Sequence, residues 1–135
     1  MDLAIITLSA QTVPLAERIG QGLPKDRVTL FLPAQKYDLL ITQPCYISLK
    51  VEPFAAGLRE LIRDIFSRYK GIIFIMPLGI VVRLIAPCLQ DKYKDPAVVV
   101  IDHGGRYVIS TLSGHEGGAN ALAYKVANAI HAEPI

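Results

Sequence analysis

The sequence predicts an α/β domain of three layers, with helices on both faces of a mostly parallel, mixed sheet of about five strands. Three observations carry that expectation. The runs LAIITL (3–8), GIIFIM (71–76) and AVVVI (97–101) are apolar at every position or nearly so, as strands covered by helices on both faces must be. Segments of helical periodicity alternate with these runs, the pattern of parallel strands joined by crossovers. Finally, Asp102-His103-Gly104-Gly105 separates AVVVI from RYVISTL (106–112), so a hairpin adds an antiparallel element near the C terminus.

The elements follow in order. Leu3–Leu8 is a buried strand, and Ser9 or Thr12 is placed to cap a helix over Val13–Gly22. There Val13, Ala16 and Ile19 share one face and Gly22 stops the run. Arg27–Leu32 reads as a second strand. Pro33–Pro53 is irregular: Leu39–Thr42 and Tyr46–Val51 have strand character, but Pro44 interrupts them. Pro53–Tyr69 reads as a helix with Pro53 in its first turn; Leu58, Leu61, Ile62 and Ile65 line one side and Arg59, Glu60, Arg63 and Asp64 the other. Gly71–Met76 is a central strand, and Leu78–Leu89 a helix after Pro77. A last helix is expected from about Glu116, with Leu122, Val126, Ala129 and Ile130 buried, and Glu133–Ile135 is where a further strand would begin.

With 135 residues and 52% apolar side chains, residues 1–135 suit a single domain with a real core. The formal net charge is only +2, and no concentrated basic face of the kind that binds nucleic acid is visible. Cys45 and Cys88 lack metal-ligand spacing and read as reduced, buried thiols. No basic segment precedes Leu3–Leu8, and the uncharged run 71–82 is too short to span a bilayer. A cytoplasmic protein that binds neither nucleic acid nor membrane is expected.

Two strand-to-helix turns carry the chemistry. In Ser113-Gly114-His115-Glu116-Gly117-Gly118-Ala119-Asn120, glycines would bare the opening amides of a helix, which lack internal partners and attract anions. Ser113 adds a hydroxyl, Asn120 an amide, and His115 a group that gives or takes a proton. The turn lacks the lysine of a P-loop and the spacing of a dinucleotide loop, and no second histidine stands at metal-ligand spacing. In Met76-Pro77-Leu78-Gly79-Ile80-Val81-Val82-Arg83, Gly79 opens a helix and Arg83 lies one turn on, fit to clamp a carboxylate. Both turns are expected at the carboxyl ends of strands, where open α/β sheets collect ligands.

Plainer roles stand beside these. Gly117 and Gly118 also suit close helix–sheet packing, His115 satisfies loop carbonyls, and Glu116 favours a helix start. Arg83 pairs with Asp91 or Asp95, Asp102 and His103 shape the hairpin, and His131 is solvated.

GIIFIMPLGIVVRLIAP followed by DKYKDPAVVVIDHGGRYVISTLSGHEGGANALA resembles the amino-terminal part of the CbiG-type cobalt-precorrin-5A hydrolases of anaerobic cobalamin synthesis. The resemblance implies a reaction that opens the lactone of a cobalt-corrinoid intermediate and releases acetaldehyde. It implies no cofactor of the protein's own, since cobalt travels with the substrate, whose rim of acetates and propionates suits helix amides and Arg83. It assigns substrate binding to Gly79, Arg83, Ser113, Gly114, Gly117, Gly118 and Asn120. For that reaction we expect His115 to act as general base for water or acid for the leaving oxygen, with Glu116 the alternative base and the amides near Gly117 and Gly118 the oxyanion donors. The family's fuller proteins continue into a middle segment and a carboxy-terminal domain, so the partner expected is that missing domain or a second copy of the chain. The alternative function is a non-catalytic corrinoid- or anion-binding module acting with a partner domain.

Overall fold

The computed structural model describes residues 1–42 and 47–135. Its strands are β1 (Asp2–Thr7), β2 (Arg27–Pro33), β3 (Lys50–Phe54), β4 (Gly71–Ile75), β5 (Ala97–Ile101), β6 (Tyr107–Leu112) and β7 (Glu133–Pro134). The helices are α1 (Val13–Gln21), α2 (Ala34–Ile41), α3 (Leu58–Ile65), α4 (Leu78–Ile85) and α5 (Ala119–Ile130). The strands form one sheet in the order β3-β2-β1-β4-β5-β6-β7. The first five run parallel; β6 is antiparallel to β5, and β7 lies parallel to β6.

Three α/β/α layers result. Odd-numbered positions of β1 and β4, such as Leu3, Ile5, Ile73 and Ile75, pack with α1 and α5, while Ala4, Ile6, Ile72 and Phe74 pack with α3 and α4. β4 and β5 are buried at every residue, which explains why their sequences show no polar alternation. Ser9 caps the short 3₁₀ turn 10–12 that leads into α1, accepting from the Gln11 amide at 3.1 Å. Thr12 instead turns its hydroxyl to Thr7.

Several expectations need correction. The sheet has seven strands rather than about five: β3 and β7 are short edge strands whose exposed residues blur the pattern. Leu39–Ile41 belong to α2, with only Leu40 of that helix buried. Pro53 lies within β3, since an edge strand tolerates a missing amide, and α3 starts five residues later. α5 begins at Ala119, not near Glu116. Cys88 is half-buried, and the expectations for Pro44, Cys45 and Tyr46 fall outside the described residues. Among the described residues no helix is long and apolar enough to cross a membrane.

Candidate functional site

The turn after β6 is folded onto itself. Ser113 adopts φ 56°, a left-handed conformation uncommon without glycine. Its carbonyl oxygen accepts from the amides of both Gly117 and Ala119 at 3.1 Å, and the Gly114 carbonyl accepts from the Asn120 amide at 3.0 Å. The Ser113 hydroxyl donates to the Asp95 carbonyl at 3.2 Å, and that of Ser110 to Asn120 Oδ1 at 2.6 Å. Three amides expected to lie bare are thus occupied by the turn's own carbonyls. The Gly117 amide is therefore no oxyanion donor in this conformation. The amides of Gly118 and Ala121 have no protein acceptor among the described residues.

The glycines follow from the same geometry. A Cβ at Gly114 would stand 2.7 Å from Asn120 Oδ1, and one at Gly117 2.6 Å from the Ser113 Cβ. Gly118 has φ 85°, where a side chain is strained. Gly79 differs: a Cβ there would meet nothing within 4 Å.

The two turns do not meet. β6 returns antiparallel along β5, with Leu112 opposite Val98, so Ser113 lies at the amino edge of the parallel strands. Gly79 follows β4 at the carboxyl edge, the length of a five-residue strand away, about 16 Å. The expectation that Gly79 sits across from the glycine turn at a shared carboxyl edge is thereby corrected. Arg83 is exposed in the last turn of α4 and makes no ion pair among the described residues. Asp91 accepts instead from the Tyr93 and Lys94 amides, and Asp95 from the Gln90 amide. Asp102 shapes the hairpin, accepting from the amides of Gly104, Arg106 and Tyr107.

At the amino edge the turn borders a cavity of about 300 Å³ whose walls include Arg68, Tyr69, Lys70, Lys94, Glu116 and Gly117. Lys70 and Lys94 are exposed and make no ion pair among the described residues, and Arg68 faces Asp64 only at 3.6 Å. Three cations around one concavity hold an anion more firmly than any one alone, most of all at low ionic strength. His115, exposed between Gly114 and Glu116, lies next to this wall. Arg68, Lys70 and Lys94 are absent from the sequence-based site. Their signal was present: SRYKG and DKYKDP place cations just before two buried parallel strands, and hence at one edge.

Residues 60–135 match the family described as Cobalamin synthesis G N-terminal, CbiG_N. The chain belongs to this family. Every residue bordering this cavity except Met1 falls inside the CbiG_N match, as do both sequence-predicted turns. A cobalt-precorrin-5A hydrolase from Priestia megaterium is 40% identical over 134 residues, 99% of this chain and 34% of the relative. A cobalt-precorrin-5A hydrolase from Salmonella typhimurium is 43% identical over 107 residues, 76% of this chain and 30% of the relative. The chain thus spans about a third of the length of these curated relatives. The crystal structure of a cobalamin biosynthesis protein G homologue from Sulfolobus solfataricus superposes with a TM-score of 0.68 at 25% identity, over 99% of this chain and 36% of that one. The likeness to that solved structure extends upstream of residue 60 to include β1, β2 and β3.

Proposed function

We propose that the chain acts in anaerobic cobalamin synthesis as the amino-terminal part of a cobalt-precorrin-5A hydrolase. The observation that carries this reading is the 40% identity over nearly the whole chain to the Priestia megaterium hydrolase. The substrate is a cobalt corrinoid with acidic side chains, and cobalt enters as part of it. Its acetates and propionates suit the Arg68, Lys70 and Lys94 wall, which would hold the rim while the lactone faces His115.

In this mechanism His115 takes a proton from water, the resulting hydroxide attacks the lactone carbonyl, and a proton returns to the leaving oxygen. Lactone opening leaves the two-carbon unit on the ring as a hydroxyethyl group; loss of its hydroxyl proton forms the carbonyl of acetaldehyde as the carbon–carbon bond to the macrocycle breaks, and the macrocycle takes up the electron pair and a proton. The Gly118 amide is the donor left for the oxyanion. Ser113, Gly114, Gly117 and Asn120 then act by fixing the turn, Glu116 is the alternative base, and Gly79 and Arg83 lie at the opposite, carboxyl edge, apart from the cation wall.

One observation favours a second reading. Neither His115 nor Glu116 has a hydrogen-bond partner among the described residues, so no described residue orients the base. A corrinoid-binding module completed by a partner domain, or by a second copy, fits that arrangement. Incubation with cobalt-precorrin-5A separates the readings. Acetaldehyde release supports the hydrolase, a shift of the corrinoid visible spectrum without acetaldehyde supports the module, and neither response removes both.

A further inference from the structure

We propose that Lys50, together with Arg68, forms a second carboxylate-reading station for the far rim of the corrinoid, in a larger cavity that adjoins the glycine-turn cavity. The inference rests on the corrinoid reading above.

This cavity, of about 680 Å³, is bordered by Asp2, Arg27, Lys50, Glu52, Arg68 and Tyr69, a size typical of small-molecule sites. The sheet register builds its floor. Asp2 stands opposite Arg27, Thr29 opposite Lys50 and Phe31 opposite Glu52. Side chains two apart share a face, and Phe31 belongs to the α3 side, so these polar residues all lie on that side. α3 is carried away from them: it ends at Ile65, and the turn 66–68 leaves the amino ends of β1, β2 and β3 uncovered there.

Arg68 and Tyr69 border both cavities and stand as a ridge between them. Phe31 meets the Tyr69 ring edge-on, with centroids 5.8 Å apart and planes at 88°, and the Arg68 guanidinium sits 5.9 Å from the ring centre. The ridge is thus braced from the core. One extended polyacid lying across it would meet Lys70 and Lys94 on one side and Lys50 on the other.

The charges are not equivalent. Asp2 already occupies Arg27 through contacts of 2.7 and 3.2 Å. Lys50 is exposed and makes no ion pair among the described residues. Glu52 lies two residues along on the same face and opposes any bound carboxylate. Lys50 therefore attracts and Glu52 repels the same ligand group, a pairing of opposite effects that a purely structural role would not give.

The test titrates the whole chain, at low salt, with cobyrinic acid, a cobalt corrinoid bearing free carboxylates, and with its fully amidated counterpart, reading the visible spectrum. Lys50→Ala is expected to weaken binding of the acid about three- to tenfold and Glu52→Gln to tighten it by a similar factor, with binding of the amide unchanged by either. Both residues are exposed, and thermal melts check that the variants fold. Equal binding of the acid by wild type and both variants overturns this inference and leaves the corrinoid reading standing. Loss of acid and amide binding together in Lys50→Ala also overturns it, because the effect is then not charge recognition. Binding of neither corrinoid by the wild type overturns both.

Discussion

The Ser113 carbonyl closes the mouth of α5 by accepting from the Ala119 amide at 3.1 Å, while also taking the Gly117 amide at the same distance. The glycines around it therefore serve the turn first. Gly114→Ala would press a Cβ to 2.7 Å from Asn120 Oδ1, and Gly117→Ala would press one to 2.6 Å from Ser113 Cβ and 3.0 Å from its carbonyl oxygen. Asn120 can swing aside, whereas the Ser113 backbone cannot. Gly117→Ala is expected to cost about 1–3 kcal/mol and Gly114→Ala less, measured by denaturant unfolding. Equal stability of Gly117→Ala and wild type would show that the turn is looser than its hydrogen bonds imply.

Gly79 gives the opposite expectation. It sits in the first turn of α4 with open space where its Cβ would be. Alanine costs nothing there and adds helix propensity, so Gly79→Ala should gain up to about 1 kcal/mol. If the same variant also weakens corrinoid binding in a spectral titration, a ligand approaches the backbone at that point. Unchanged binding with raised stability removes Gly79 from the substrate contacts.

These two glycine sites show where the sequence was legible. β1, β4 and β5 stand out because both their faces are buried, so apolar residues run without interruption. α3 is legible by its two faces, with Leu61, Ile62 and Ile65 buried and Arg59, Glu60, Arg63 and Asp64 exposed. Edge strand β3, reading KVEPF, carries a Lys, a Glu and a Pro because it pairs on one side only; such a strand has no pattern to find. The site failed for a different reason. The hairpin at 102–105 was read from the sequence, and a hairpin reverses direction, so Ser113 had to return to the amino edge. Placing Gly79 across from it contradicted that consequence. Arg68 and Lys70 are neighbours in sequence, but Lys50 and Lys94 join them only through strand order.

Glu17 on α1 is buried, with 8% of its surface exposed. Its carboxylate accepts from the Ser48 amide and hydroxyl at 2.7 Å each and from the Leu49 amide at 3.0 Å. That contact fixes the approach to β3, and with it the position of Lys50. Glu17→Ala leaves two main-chain donors without their acceptor and should cost about 2–3 kcal/mol. Ser48→Ala removes a single bond and should cost about 1 kcal/mol. If the two variants unfold at the same denaturant concentration, the main-chain bonds contribute little.

His131 ends α5 at φ 56°, with the Ala132 amide returning to the Ala127 carbonyl at 2.9 Å. That arrangement usually carries glycine. His131→Gly removes the steric cost of a left-handed side chain, and a gain of about 0.5–1 kcal/mol is expected. A stability loss would mean that the imidazole makes a contact worth more than the strain.

The roles of His115 and Glu116 separate by chemistry rather than by stability. Both side chains are exposed, so His115→Ala and Glu116→Gln should melt with the wild type. If His115 moves the proton, His115→Ala lowers acetaldehyde release from cobalt-precorrin-5A by about 10²- to 10⁴-fold with little change in corrinoid affinity. Glu116→Gln keeps the shape of the cavity wall and removes one negative charge beside Arg68, Lys70 and Lys94. With Glu116 acting only as a wall, that change should tighten binding of an acidic corrinoid and leave the chemical step intact. The reverse result, full turnover in His115→Ala and a lost step in Glu116→Gln, would move the proton transfer to the carboxylate. Full turnover in both variants would remove both residues as the base and assign the proton transfer to another group of the protein.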